Sequence, residues 1–440
     1  WFYAWGEGHC AIVVGVSVLA NWLFGRAIGS SGDPARRRLW LILAIVANLG
    51  TLAVFKYANF AVENLNALLA ALAIAPVVWS AIPLPLGISF FTFHAISYVV
   101  DVFKRNAKAE RRLPDFALYI LLFPQLIAGP IIRWRDIAQQ FGQRETRIAD
   151  MAYGTRRFLL GLAKKVLVAN TLGAVADRIF TLPAGELTTP LAWLGLVCYT
   201  LQIYFDFSGY SDMALGLMRV FGFRILENFN YPYIAQSVRE FWRRWHISLS
   251  NWFRDYLYIP LGGNQAGQGR AYFNLALVFF LCGLWHGASW PFVIWGLWHG
   301  LFLVAERVGL DRLLQHVGPL RHVYTLLAVM GGWVLFRCET LSHAIGYYAA
   351  LLGQGQGDPA RQPLMLYLDP LVATTLLVAV VGSMPVARRV AAWCEQLSAR
   401  SRFGSAAVLS ADVAWTFGCL LAACAWLAAG TYNPFIYFRF

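Results

Sequence analysis

The sequence predicts an all-α polytopic membrane protein, with roughly nine to eleven transmembrane helices plus re-entrant and interfacial helices around a central tunnel. Three observations predict it. Charged residues make up 13% of the chain and hydrophobic residues 59%, whereas a soluble domain carries about 25% charged residues. Several apolar runs reach the ~20 residues that a helix needs to cross a bilayer. The basic residues cluster in short loops between those runs, the pattern that orients spans with positive loops inside. A helix is the element that fits, because it satisfies its own backbone groups in lipid.

The net charge of +13 would suggest nucleic acid in a soluble protein. Here it reads as loop charge that sets orientation, and no nucleic-acid partner is expected. Contact of some of these arginines with an anionic ligand, such as a cofactor phosphate, is the alternative. The seven cysteines, Cys10, Cys198, Cys282, Cys338, Cys394, Cys419 and Cys424, form no C-x-x-C pair and lie mostly in apolar runs. They read as small buried hydrophobes. The chain opens at Trp1 in mid-apolar context, so a preceding N-terminal piece is expected. No repeat or soluble domain is visible, and residues 1–440 read as one membrane domain.

In chain order, 9–25 is a first span and 26–38, with Arg26, Arg36, Arg37 and Arg38, a cytoplasmic loop. Residues 39–55 form the second span, leading outward to a weakly charged loop around Lys56 and Glu63. The stretch 66–83 is apolar but broken by Pro76 and Pro83, and 86–103 is a better span. The basic loop 104–112 returns inside only if 66–83 does not cross, so that stretch lies on the outer surface or dips in and returns. Residues 113–132 hold Pro124 and Gly129-Pro130 between basic loops and read as re-entrant from the inside. An ordinary helix pair is the alternative. Two non-crossing segments from opposite faces thin the bilayer locally and imply a funnel or tunnel.

Residues 156–165 read as a basic amphipathic turn at the inner interface; 166–183 go out and 190–205 return. Asp206 and Asp212 then follow among aromatics. Unpaired, they would be costly; helix capping and packing through Ser208 and Ser211, or a role in the site, are both open. Residues 236–260 mix arginine and tryptophan too densely for a span and suit a helix at the inner interface. Apolar runs at 272–285 and 290–306, a basic loop at 307–321, and spans at 322–338, 368–386 and 405–430 complete the chain. The basic loop 387–404 is expected inside.

The chemistry centres on LCGLWHGASWPFVIWGLWHG, residues 281–300. An ionisable residue at membrane depth marks a functional site by default. His286 is the candidate general base, since imidazole takes and returns a proton near neutral pH; the alternative is a buried histidine bonded to a carbonyl. His246 and His299 are secondary candidates. The histidines lack i,i+4 spacing and nearby acids, so no metal site is expected. No G-x-S-x-G, Walker or dinucleotide motif occurs, although a thiol at Cys282 remains open. The arginines of 239–254, in particular Arg243, Arg244 and Arg254, are candidates for holding an anionic donor, because guanidinium pairs well with phosphate.

FDFSGYSDMA at 205–214, EFWRRWHISLSNWFRDYLYIPLGGN at 240–264 and LWHGASW at 284–290 together resemble the membrane-bound O-acyltransferases, in the branch that acylates exported polysaccharides such as alginate. FKYANF at 55–60, ISYVVDVF at 96–103 and FPQLIAGPIIR at 123–133 extend the likeness, which runs to about residue 310. The resemblance implies that His286, in WHG, is the essential histidine and that His246, in RRWH, is a second conserved polar position. It implies a ring of helices around a tunnel, a location in the bacterial inner membrane, and acetyl-CoA or an acyl-carrier protein as donor with no permanently bound cofactor. It implies periplasmic acetyltransferase partner proteins and an exported polysaccharide as partners. Acetylation of bacterial cellulose and D-alanyl transfer to teichoic acid are same-family alternatives. A transporter or channel without catalysis is the alternative of another class.

Overall fold

The computed structural model describes residues 2–127, 129–142, 144–265 and 267–430. All regular elements among them are helices. The elements that position the site are α1 (Cys10–Ser30), α2 (Pro34–Ala71), α3 (Ile88–Phe103), α4 (Leu113–Leu121), α5 (Ile148–Phe180), α6 (Thr189–Val220), α7 (Val238–Arg244), α8 (Ile247–Phe253), α9 (Gln268–His286), α10 (Trp290–Ala305), α11 (Leu320–Arg337), α12 (Pro370–Gly382), α13 (Val386–Arg400) and α14 (Arg402–Ala428).

Among the described residues five helices are long and apolar enough to cross a membrane, or six if the bent pair α12–α13 counts as one span. Five or six of the expected nine to eleven thus meet this test of length and composition. Helices also stand at other expected spans, such as 86–103 and 322–338, but they are shorter or more polar, and much of their surface is buried.

Helix α2 begins at Asp33, whose side chain accepts from Ala35 N, with Pro34 in the first turn where its missing N–H costs nothing. It has 38 residues and so a length of about 57 Å, nearly twice the ~30 Å of a hydrocarbon core. Its buried stripe is Ala44, Asn48, Leu52 and Lys56, a strict four-residue spacing. Asn48 and Asn21 of α1 exchange amide hydrogen bonds at 2.6 and 3.1 Å. Such interhelical bonds contribute about 0.6 kcal/mol each in a membrane.

The expected segment 66–83 is the end of α2 followed by irregular, mostly exposed chain. Asn59 and Asn66 pin this strap by bonds to Trp79, Ile82 and Val77. Irregular backbone exposed to lipid does not occur in the hydrocarbon region, so the strap lies outside it and does not cross. Residues 113–132 are likewise broken, into α4, a single turn Phe123–Leu126 and irregular chain. Each piece is too short to cross.

The amphipathic turn expected at 156–165 is instead the middle of α5, one continuous 33-residue helix. The four charges Arg156, Arg157, Lys164 and Lys165 give the stretch its interfacial look. The structure pairs most of these charges: Lys165 with Asp206 at 2.7 Å, Lys164 with Asp212 at 2.6 Å, and Arg157 with Asp212 and Glu227 at 2.7 and 2.6 Å. Asp206 and Asp212 are thus ion-paired across the α5–α6 contact rather than helix caps. The two helices run antiparallel and very close. A methyl built on Gly161 would sit 2.6 Å from the Gly209 carbonyl oxygen, so only glycine fits there, as in small-residue membrane contacts.

Candidate functional site

Helix α9 delivers His286 as its last residue. The backbone leaves the helix at Gly287 in an extended conformation, and α10 starts three residues later at Trp290. A Cβ on Gly287 would run into the Phe292 ring, so the tight turn depends on glycine. His286 is 7% exposed. Its ring packs edge-on against Trp285, Trp295 and Phe336, with centroids 4.8, 4.9 and 5.1 Å away. Its Nδ1 has no hydrogen-bond partner among the described residues.

His246 sits at the break between α7 and α8, where the single interfacial helix expected over 236–260 divides. Its φ is +43°, a left-handed conformation that is uncommon for a residue with a side chain and marks a held position. The holding group is Asn228, whose Oδ1 meets His246 Nδ1 at 3.2 Å and accepts from Ser248 N and Oγ at 3.1 and 2.9 Å. Ser248 Oγ in turn accepts from Ile131 N at 2.9 Å, which ties the broken 113–132 region to the site. His246 Nε2 has no partner among the described residues. Trp285 lies between the two histidines, 6.4 Å from His246 and 4.8 Å from His286 by ring centroid.

His299, on α10, is fully buried. It packs on Trp242 and Trp295, each 5.1 Å away, and against Gly332. It belongs to the same aromatic cluster but faces none of the cavities described next.

Two groups of cavities meet near α9. A cavity of about 220 Å³ is lined by His286, Trp285, Lys56, Ser89, Ile127 and the chain at 84–88. Toward the other end of α9, a cavity of about 370 Å³ runs along Leu275, Val278, Phe279 and Cys282, with Arg239, Arg243 and Arg254 on its polar side. An adjoining cavity of about 460 Å³ shares Arg239 and Arg243 and adds Arg307 and Asn264. Cys282 stands one helical turn before His286, so the arginine-lined space ends close to the histidine. Phe90 and Trp285 of the His286 cavity belong to a layer of rings: Phe93 stacks on Trp252 at 3.6 Å and on Trp285 at 5.3 Å, with Phe90 5.4 Å from Trp285.

Of the three arginines expected on the donor side, Arg243 and Arg254 line the cavity. Arg244 does not: it pairs with Glu240 at 2.7 Å and donates to Asn230 O at 3.1 Å. It is adjacent to Arg243 in sequence, but adjacent helical residues point about 100° apart. Burial works to raise the Glu240 pKa, but bonds from Gln236 N and Arg244 outweigh it and hold the carboxyl below its ordinary value. Asp255 shows the same balance. Burial raises its pKa, and Arg254, Arg135 and Arg133 more than offset that. Arg133 bonds Asp255 at 2.6 Å and Arg135 also contacts it closely.

Sequence reasoning missed Lys56 and Arg307. Lys56 is not in a loop but on the buried stripe of α2, and its Nζ reaches Ser89 Oγ at 3.2 Å, His286 O at 3.3 Å and, closest, Trp285 O. The four-residue spacing with Asn48 was the available signal. Arg307 was read as a loop charge, although its Nη1 is fixed by Asn264 Oδ1 at 2.7 Å.

The membrane-bound O-acyltransferase family model matches residues 53–349. That is well over half of the chain and includes both histidines and both cavity groups. The chain belongs to the membrane-bound O-acyltransferase family. It is similar to the probable alginate O-acetylase AlgI of Pseudomonas putida, 42% identical over the whole of this chain and 92% of the relative. It is similar to the probable alginate O-acetylase AlgI of Azotobacter vinelandii, 46% identical over 86% of this chain and 76% of the relative. A peptidoglycan O-acetyltransferase of Helicobacter pylori is 35% identical over 80% of this chain and 72% of the relative. The protein is therefore a multi-pass membrane enzyme that transfers acyl groups to oxygen, as the resemblance implied.

Proposed function

We propose that this acyltransferase passes an acetyl group from a cytoplasmic thioester donor to an acceptor hydroxyl on the far side of the bacterial inner membrane, for O-acetylation of an exported polysaccharide of the alginate type. One observation carries the proposal: His286 lies where an arginine-lined cavity along α9 approaches a separate cavity at the helix's end. The orientation follows from charge. No lysine or arginine occurs from 57 to 103, the region that builds the His286 cavity, so that end faces outward. The arginine end faces the cytoplasm.

Arg239, Arg243 and Arg307 suit the phosphates of a small donor such as acetyl-CoA, and the apolar wall from Leu275 to Cys282 suits its thioester arm. A pocket of this kind favours coenzyme A over a carrier protein, which would need a docking patch instead. His286 takes the proton from the acceptor hydroxyl as the oxygen attacks the thioester carbonyl. The carbon–sulfur bond breaks, and the imidazolium returns its proton to the leaving thiolate. His246 faces the same layer and supports the site from the inner side. The acceptor hydroxyl is that of the polymer or of a periplasmic partner that passes the acetyl group on.

The test is the acetyl content of the exported polymer in cells carrying His286→Ala, with the membrane level of the protein measured in parallel. Loss of acetylation at normal protein level is expected. Retained acetylation overturns the assignment of His286.

A further inference from the structure

The end of α9 presents backbone carbonyls that no helical N–H follows to satisfy. Three in succession are taken by two adjacent residues of α2. Tyr57 donates its hydroxyl to Leu284 O at 2.8 Å. Lys56 Nζ donates to Trp285 O and, at 3.3 Å, to His286 O. The third ammonium proton goes to Ser89 Oγ at 3.2 Å, at the start of α3. An ammonium has three protons, and all three are committed. No carboxylate forms an ion pair with Lys56 among the described residues, and the residue is 9% exposed. A charge held there without an ion pair is costly. The partial negative charge at a helix C-terminus is what offsets it.

We propose that Lys56 and Tyr57 form a clamp on the carbonyls of residues 284–286, and that Lys56 is a positioning residue for His286. This inference rests on the proposed role of His286. Lys56 does not touch the reacting atoms in this scheme. It fixes the terminal turn of α9 against α2 and α3, so that the imidazole stays at the floor of the 220 Å³ cavity, which the same lysine lines. The clamp adds to the Gly287 N–Gly283 O bond of 3.2 Å and to the rings around His286, and it is what ties this turn to α2 and α3 by hydrogen bonds.

The test uses membrane vesicles from cells that carry the full acetylation machinery, with labelled acetyl-CoA varied in concentration. Lys56→Met keeps the length of the side chain and removes the donors. It is expected to lower the maximum rate about 100-fold, the effect of misplacing a catalytic group by ~1 Å, with the donor KM unchanged and a normal membrane level. Lys56→Arg restores donors and is expected to recover a substantial part of the rate; Tyr57→Phe, which removes one bond, lowers it less than Lys56→Met. A full maximum rate in Lys56→Met, a loss that appears in KM alone, or an arginine variant no better than methionine overturns the clamp. If Lys56→Met does not accumulate, Tyr57→Phe decides: a lowered maximum rate with unchanged KM supports the clamp, while a full rate or failure to accumulate overturns it. His286→Ala is run alongside. If it is inactive while Lys56→Met is fully active, only the clamp falls; if it is active, the proposed function falls first.

Discussion

Helices α3 and α14 are both strongly apolar, yet they are used in opposite ways. In α3, 15 of 16 residues are buried. In α14, 27 residues long, only Thr416 and Ala423 are. Several polar groups of α3 have a partner, although His94 Nδ1 and Asp101 Oδ1 have none among the described residues. Ser89 accepts from Lys56, His94 Nε2 accepts from Ile132 N at 3.3 Å, Ser97 meets Tyr119 at 3.1 Å, and Asp101 accepts from Tyr256 at 2.9 Å. The main polar link of α14 to its neighbours is Asp412 with Arg156 at 2.5 Å. The difference teaches that hydropathy reports the absence of charge, not the surroundings. An apolar helix whose polar residues bond to neighbouring elements and whose surface is covered is core, and one with almost no buried residue is left to face lipid.

Four substitutions sharpen or break this contrast, from the largest expected effect to the smallest. His286→Ala, at the centre of the α3 side, should lower polymer acetylation by about 10²–10⁴-fold, the range of a lost general base. Acetyl analysis of the secreted polymer reads it directly. Next, Asp255→Ala strips a shared acceptor from Arg133, Arg135 and Arg254. Leaving Arg133 buried and unpaired there costs about 3–5 kcal/mol, which should appear as a large drop in melting temperature in detergent.

The same carboxylate sets an acid limit. Its folded pKa lies below the ordinary 3.8, so its stabilisation is complete above that value and is lost as pH falls through the lower, folded one. Wild-type melting should therefore be insensitive to this group at neutral pH and fall in strong acid, and Asp255→Ala should lose that component.

Gly161→Val comes third. It forces the α5–α6 contact apart and should cost about 1–3 kcal/mol, the usual range for overpacking, measured by the same thermal assay. Leu421→Ala, on a residue 68% exposed on α14, should change stability by no more than about 0.5 kcal/mol. A large loss there would mean that α14 packs against another protein, and the comparison with α3 would fail.

The class and the two interrupted segments were legible in the sequence, and so was the burial of His286 in an aromatic setting, because each is written in local pattern. Proline and glycine positions exposed the breaks at 66–83 and 113–132. The tryptophan-rich run around His286 exposed the centre. What it could not show depends on which surface covers which. Arg244 and Arg243 look alike in sequence, and only the helix rotation of α7 separates the cavity-lining one from the one bound to Glu240. Lys165 and Asp206 are 41 residues apart, so their pairing inside the α5–α6 contact was invisible and α5 was cut in two. Lys56 was legible in principle, through its spacing from Ala44, Asn48 and Leu52, but a lone lysine near the end of an apolar run is more easily read as a loop charge.

The ring layer of Phe90, Phe93, Trp252 and Trp285 has a further consequence. Hollows that joined through a membrane protein would let ions run down any gradient across that membrane. Stacked indole and phenyl rings offer ions no replacement for their hydration shells. Packing of this kind beside His286 favours insulation over conduction.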